Sequence, residues 1–313
     1  MNRDRNAILC LCSHVCLGAE SIPLTTGEYR DLAGLLSRVG KTPGDLFDFS
    51  PGDYASLPGF DIPQRERVLR LLDRYAALSS ALGRYRSMGI DTVTRTDEHY
   101  PGILKQKLSD SCPPLLYYAG DLSLSEKPCI GYVGSRNIEP EDVDFGVQTV
   151  RKTSARGYGV VSGGARGVDT VCATEALQIG SFCVEYLPDS LSKKVQRSDA
   201  ATRLQAGRLL LMSATAPDAP FRTSFAMIRN RFIYAHSVAT VVVRANLGKG
   251  GTWSGATDSL RNGLCPVLCW DHPYPGNRGL IDKGAIPIDS TWDGMPPCPA
   301  APEVPTFEQA SFF

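Results

Sequence analysis

The stretch Cys129-Ile130-Gly131-Tyr132-Val133-Gly134-Ser135-Arg136 decides the fold. An uncharged, mostly apolar run feeds directly into a glycine, a hydroxyl and a guanidinium. That pattern reads as a buried strand delivering a polar loop. Glu141 to Arg156 then reads as a helix and Tyr158 to Ser162 as a second strand, followed by the loop Gly163-Gly164-Ala165-Arg166-Gly167. Val168 to Ile179 is a helix and Phe182 to Leu187 a third strand. Leu209 to Met212, Val238 to Val243 and Pro266 to Trp270 are further strands. Strands alternating with helices at this spacing predict an α/β architecture with a doubly wound, mostly parallel sheet. The unbroken apolar run Val238 to Val243 suits a strand covered on both faces.

Outward from this core the composition changes. Residues up to about 90 read as helical. Leu32, Leu35, Leu36 and Val39 form one stripe that stops at Gly40, and Val68, Leu71, Leu72 and Tyr75 form another. Between them Ser56-Leu57-Pro58-Gly59-Phe60 reads as a turn feeding a helix, as in a helix-hairpin-helix element, with a plain packing unit as the simpler reading. From about 291 the chain is rich in proline and reads as an extended tail. The expected division is therefore a helical domain over 1–90 of the SAM or helix-hairpin-helix kind, an α/β domain over 91–290, and a tail over 291–313.

Bulk properties narrow the function classes. The 313 residues carry 42% hydrophobic side chains and a formal net charge of zero. A polyanion-binding site must then be a local basic patch. No apolar run is long enough for a membrane span, so no membrane partner is expected. The N-terminal run around Ile8 to Cys12 reads as a buried helix rather than a leader. The ten cysteines lack a disulfide rhythm, which points to reduced thiols in a cytoplasm. Cys10, Cys12, His14 and Cys16 match no zinc spacing and read as core residues; neither a metal nor a cofactor is expected.

Ligands of open parallel sheets bind beyond the strand carboxyl ends. Three loops at those positions combine glycine, hydroxyl and cation: Gly134-Ser135-Arg136, then Ser162-Gly163 through Arg166 and Gly167, and Gly248-Lys249-Gly250-Gly251-Thr252. Glycines admit close approach, helix N-terminal amides donate, and Arg or Lys supplies charge. Three such loops on one edge predict a phosphate-binding surface. Asp169, at the start of the following helix, reads as a dipole-complementing acid rather than a catalytic one.

The same residues carry a resemblance. Tyr100-Pro101, Pro113-Pro114-Leu115-Leu116-Tyr117 with Gly120, and Val133 to Arg136 resemble the entry to the Rossmann-like DprA/Smf fold. Ser162 to Asp169 with Glu175-Ala176-Leu177 resembles that family's second loop and helix. Phe225 to Ser237 is similar to its Arg-Asn-Arg segment, and Gly276-Asn277 with Leu280-Ile281 and Gly284-Ala285 to its last block. The resemblance implies a homodimeric protein that binds single-stranded DNA and loads a RecA-type recombinase, in recombination, transformation or defence. By motif it implies a DNA or phosphate role for Gly134, Ser135, Arg136, Ser162, Gly163, Arg166, Arg229, Asn230, Arg231, Lys249, Gly251 and Thr252.

The chain departs from that family at Ala173, where a histidine is usual, and at Ser213-Ala214-Thr215-Ala216-Pro217, where Ser-Glu often precedes the proline. It also leaves no room for the winged-helix domain of many members. A rival resemblance is to LOG-type phosphoribohydrolases, whose glycine-rich loop is followed by a catalytic glutamate. That position here is Gly255, and glycine does no acid–base work. The expectation is a binding protein rather than an enzyme, with a nucleotide-sensing SLOG-type protein as the alternative. The tail ends Gln309-Ala310-Ser311-Phe312-Phe313, and Gln309, Phe312 and Phe313 resemble a sliding-clamp docking peptide.

Overall fold

The computed structural model describes residues 2–18 and 22–297. Gln309, Phe312 and Phe313 lie outside the described residues. The chain opens with five helices: α1 (Arg3–Cys12), α2 (Thr26–Arg38), α3 (Pro51–Ala55), α4 (Ile62–Asp73) and α5 (Tyr75–Ser87). Strand β1 (Asp91–Thr94), α6 (Gly102–Leu108) and β2 (Leu115–Gly120) follow. The alternating part runs β3 (Cys129–Val133), α7 (Pro140–Ala155), β4 (Gly159–Ser162), α8 (Val168–Gln178) and β5 (Cys183–Tyr186). It continues with α9 (Leu191–Val195), α10 (Ser198–Gln205), β6 (Leu209–Ser213), α11 (Thr223–His236), β7 (Ala239–Val242) and α12 (Gly250–Asn262). β8 (Val267–Trp270), α13 (Pro275–Ile281) and β9 (Ile286–Ile288) complete the fold.

The nine strands of the described residues form one sheet in the order β1-β2-β6-β5-β4-β3-β7-β8-β9. From β6 to β9 every neighbouring pair is parallel, whereas β2 is antiparallel to both β6 and β1. The sheet is doubly wound as the sequence predicts. The antiparallel edge and β9 are not marked as strands in the sequence: β1 and β9 span only four and three residues, β9 carries a proline, and neither β1 nor β2 adjoins the helix–strand alternation that betrays the parallel strands.

Period-two alternation divides the core. Leu115, Tyr117, Leu209 and Leu211 face one side, packed with α7, α8 and the five N-terminal helices. Leu116, Leu210 and Met212 face the other, packed with α6, α11 and α12. The N-terminal helices thus share one continuous core with the sheet. Buried Ser13 Oγ lies 2.7 Å from Tyr117 Oη. Arg74, which separates α4 from α5, donates to the Cys10, Ser13 and Val15 carbonyls, satisfying acceptors left open at the end of α1.

Two expectations need correction here. Ala7, Ile8, Cys10 and Leu11 are fully buried; of Cys10, Cys12, His14 and Cys16, the first two lie in the core, but His14 and Cys16 are exposed. The turn of chain after Ser13 carries them to the surface, with Cys16 at φ 56°. The four residues form no metal-holding group among the described residues. In the first stripe, Leu32 and Leu36 are buried while Val39 is 40% exposed, because α2 stops at Arg38 and Gly40 turns away at φ +69°.

Candidate functional site

The parallel strands run outward in opposite senses from β3: β4, β5 and β6 on one side, β7, β8 and β9 on the other. The connections therefore diverge between β3 and β7, leaving a crevice at their carboxyl ends. Two adjoining clefts occupy that edge, of about 450 and about 500 Å³. The first lies between the loops after β3 and β7. The second lies between the loop after β4 and the α9 segment, and Arg136, Ala165, Phe221 and Arg229 line both.

The structure gathers most of the residues singled out from the sequence. Gly134, Ser135, Arg136, Arg229, Asn230, Lys249, Gly251 and Thr252 line the first cleft, and Gly163 and Arg166 the second. Several are occupied in bracing the loops. Thr252 Oγ1 donates to the Gly134 carbonyl (3.0 Å), tying the two loops of the crevice together. Asn230 Nδ2 donates to the Gly251 carbonyl (3.3 Å). The Gly163 amide donates to Asp169 Oδ2 (3.1 Å), as does the Ala165 amide (3.4 Å). Asp169 does sit in the first turn of α8, and it also anchors the second loop.

Two of the singled-out residues are not at the clefts. Ser162 is fully buried at the end of β4. Arg231 turns to α12, where its Nε lies 3.1 Å from Asp258 Oδ2. The structure adds residues the sequence reading passed over. Arg244, Asn137 and Asn246 line the first cleft, Lys193, Lys194 and Arg197 the second, and Phe221 stands at the seam, 51% exposed. Arg244 was findable, since it directly follows the β7 run. Lys193 and Phe221 carried no signal, because neither adjoins a glycine loop.

Charge is distributed unevenly along this edge. Arg136, Arg166, Lys193 and Lys249 are exposed and have no carboxylate within salt-bridge distance among the described residues. Arg166 Nη2 donates to Asn137 Oδ1 (3.0 Å). Lys194 is paired with Glu185 (3.0 Å), Arg197 with Asp199 (3.2 Å) and Arg244 with Asp142 (3.0 Å). A chain of zero net charge thus carries a concentrated positive edge.

Arg229 forms the wall between the clefts. It is 7% exposed, and its one hydrogen bond among the described residues is a long one, Nη1 to the Tyr186 carbonyl (3.3 Å). Its buried Nε has no partner among the described residues. A guanidinium has five N–H donors, so this one is far from satisfied. Burial pushes its pKa down, and the Asp169 carboxylate acts against that. Burial likewise pushes Asp169 up, offset by Arg229 and the two loop amides. Gly163 makes this arrangement possible, since a Cβ there would stand 1.3 Å from Arg229 Nη1. The glycine admits an arginine from within the protein rather than a ligand.

Gly255 is buried inside α12, and a Cβ there would meet Tyr234 at 2.8 Å. It permits α12 to pack closely on α11. A glutamate at this place would point into a helix contact, not into a cleft.

The sequence profile of the DNA recombination-mediator protein A family matches residues 91–295. The chain is 28% identical to the DNA processing protein DprA of Bacillus subtilis over 231 residues, covering 70% of this chain and 75% of that one. The crystal structure of DprA from Streptococcus pneumoniae superposes with a TM-score of 0.64 at 22% identity, covering 85% of this chain and 95% of that one. DNA processing protein A from Helicobacter pylori, described for its unique single-stranded DNA binding mode, gives a TM-score of 0.53 at 25% identity, covering 64% and 90%. The matched span holds every strand of the sheet and both clefts, so this chain belongs to the DNA recombination-mediator protein A family.

Proposed function

We propose that the chain binds single-stranded DNA through its phosphates along the two clefts and carries out no chemistry on it. The observation that carries this reading is Arg229: a buried guanidinium with one long hydrogen bond and an orphaned Nε, lining both clefts. An under-satisfied buried cation is costly, and an anion reaching it relieves the cost. Arg136, Arg166, Lys193 and Lys249, without carboxylate partners, extend the positive path on either side. Phosphates carry no sequence information, so binding is sequence-independent. The seam aromatic Phe221 is placed where a base can stack. The H. pylori relative is described for single-stranded DNA binding, which supports the same ligand here. Homodimer formation, loading of a RecA-type recombinase and clamp docking through Gln309, Phe312 and Phe313 are finer parts of this proposal. They rest on the family resemblance and the tail motif.

Each cleft is also large enough for a single nucleotide, and a nucleotide sensor would use the same Arg229. One experiment separates the two. Fluorescent oligo-dT is titrated with wild type and the Arg136→Ala/Lys249→Ala variant at several salt concentrations. The expected result is binding that weakens steeply with salt, with a slope reduced by about two phosphate contacts in the variant. Folded wild type that ignores oligo-dT at low salt but binds a mononucleotide would replace this reading with the sensor.

A further inference from the structure

Arg244 differs from the other cations of the first cleft. It leaves β7 directly into the crevice and is held from three sides. Its Nη1 lies 3.0 Å from Asp142 Oδ2, whose side chain is fully buried, and 3.8 Å from Glu139 Oε1. Its guanidinium carbon lies over the Tyr274 ring, 4.3 Å from the centroid. Tyr274 is itself fixed, donating to Glu141 Oε1 (2.5 Å) and lying 4.1 Å from the His272 ring. That ring stands 4.3 Å from Trp270, which stacks on Phe145 at 4.4 Å and 10°. A ladder of planar groups thus climbs from the core, Phe145 to Trp270 to His272 to Tyr274, and ends in a guanidinium on the cleft wall. The backbone beneath is locked as well. Asn277, fully buried, accepts from the Ala245 amide and donates to the Val243 carbonyl, both at 2.9 Å.

This constellation does not suit phosphate. Two carboxylates, Asp142 and Glu139, face one guanidinium, so no positive charge is left over, and Glu141 lies behind. Arg136 and Lys249, in the same cleft, have no such partners. What Arg244 offers instead is a fixed plane, one quarter exposed, in a cleft that Asn137 and Asn246 also line. Nucleobases stack on guanidinium planes as they do on aromatic rings, and such stacking tolerates any base.

We propose that Arg244, supported on Tyr274, is a stacking platform for a base of the bound strand, while the unpaired cations hold its phosphates. This rests on the single-stranded DNA reading given above. It divides the first cleft into a phosphate side and a base side, so the strand binds in one rotational setting rather than as a featureless polyanion.

The test is a cycle of two ligands and three proteins. Oligo-dT and a fully abasic oligomer of equal length are titrated with wild type, Arg244→Lys and Tyr274→Ala, each checked for folding by thermal melting. Lysine keeps the charge and loses the plane, and alanine at 274 removes the support while keeping the arginine. Wild type is expected to bind oligo-dT more tightly than the abasic oligomer. Both variants should narrow that preference on the order of tenfold while leaving abasic binding and the salt slope unchanged. Equal weakening for both ligands with a shallower salt slope would make Arg244 a phosphate contact and overturn the proposal. An unchanged preference in folded variants would overturn it too. Absence of binding to either oligomer by wild type would instead fail the single-stranded DNA reading, and this inference with it.

Discussion

At the scale of single residues, two buried polar side chains set the terms. Arg229 is held where its donors exceed its partners among the described residues, which is the ground for proposing the wall between the clefts as an anion site. His236 is the opposite case, a buried group that stays neutral. Its Nδ1 lies 2.8 Å from Tyr186 Oη, its Nε2 has no partner among the described residues, and burial, with Lys107 adding, lowers its pKa to about 4. The unfolded chain binds that proton near the ordinary value of 6.5, so between those values the unfolded state holds more protons. Stability contributed by neutral His236 is complete above about pH 6.5 and is lost as pH falls toward 4, by up to about 1.4 kcal/mol per pH unit. Melting curves of wild type and His236→Gln between pH 7 and 4.5 check this. The gap between them should shrink or invert as pH falls, and parallel curves would refute the assignment.

At the scale of elements, α11 shows why a sequence motif need not act as a unit. Arg229, Asn230 and Arg231 are consecutive, and a helix turns each about 100° from the last. Arg229 therefore faces the sheet edge, Asn230 the Gly251 loop and Arg231 the Asp258 carboxylate on α12. Arg231→Ala is expected to leave oligo-dT affinity within about twofold and to lower stability by at most about 1 kcal/mol, the range of a partly exposed pair. A large affinity loss with unchanged melting would return Arg231 to the ligand site. The glycine loops teach the same lesson. Their residue types were readable, but Gly163 receives Arg229, which comes from an element 66 positions along the chain. The loops after β3, β4 and β7 were legible because each follows an apolar run. Arg244 was within reach of that rule, whereas Lys193 and Phe221 reach the clefts only through the folding of segments that have no pattern of their own.

At the scale of the whole molecule, zero net charge and a positive edge coexist, so attraction of a polyanion depends on placement rather than composition. Among the described residues no helix is long and apolar enough to cross a membrane. The proposed boundary near residue 90 meets a physical test here. The five N-terminal helices cover the sheet face that bears Tyr117 and Leu115, and Arg5 donates to Thr92 Oγ1 at 2.8 Å. A fragment beginning at residue 91 uncovers that face and is expected to aggregate or to melt well below the full chain. A fragment melting at the temperature of the full chain would establish the helical segment as an independent unit.

The sequence by itself determined the alternation of strands and helices, the chemistry of the three loops and the family resemblance. These are local properties, written in apolar runs and in the residues that immediately follow them. Only the tertiary structure decided which cations are free and which are neutralised. It also turned Arg231 away, set Arg229 between two clefts and brought Tyr274 beneath Arg244. Pairing of charges and stacking of planes depend on distances of a few ångströms between residues more than a hundred positions apart, such as Arg244 and Asp142 or Phe145 and Trp270, and no reading along the chain contains those distances.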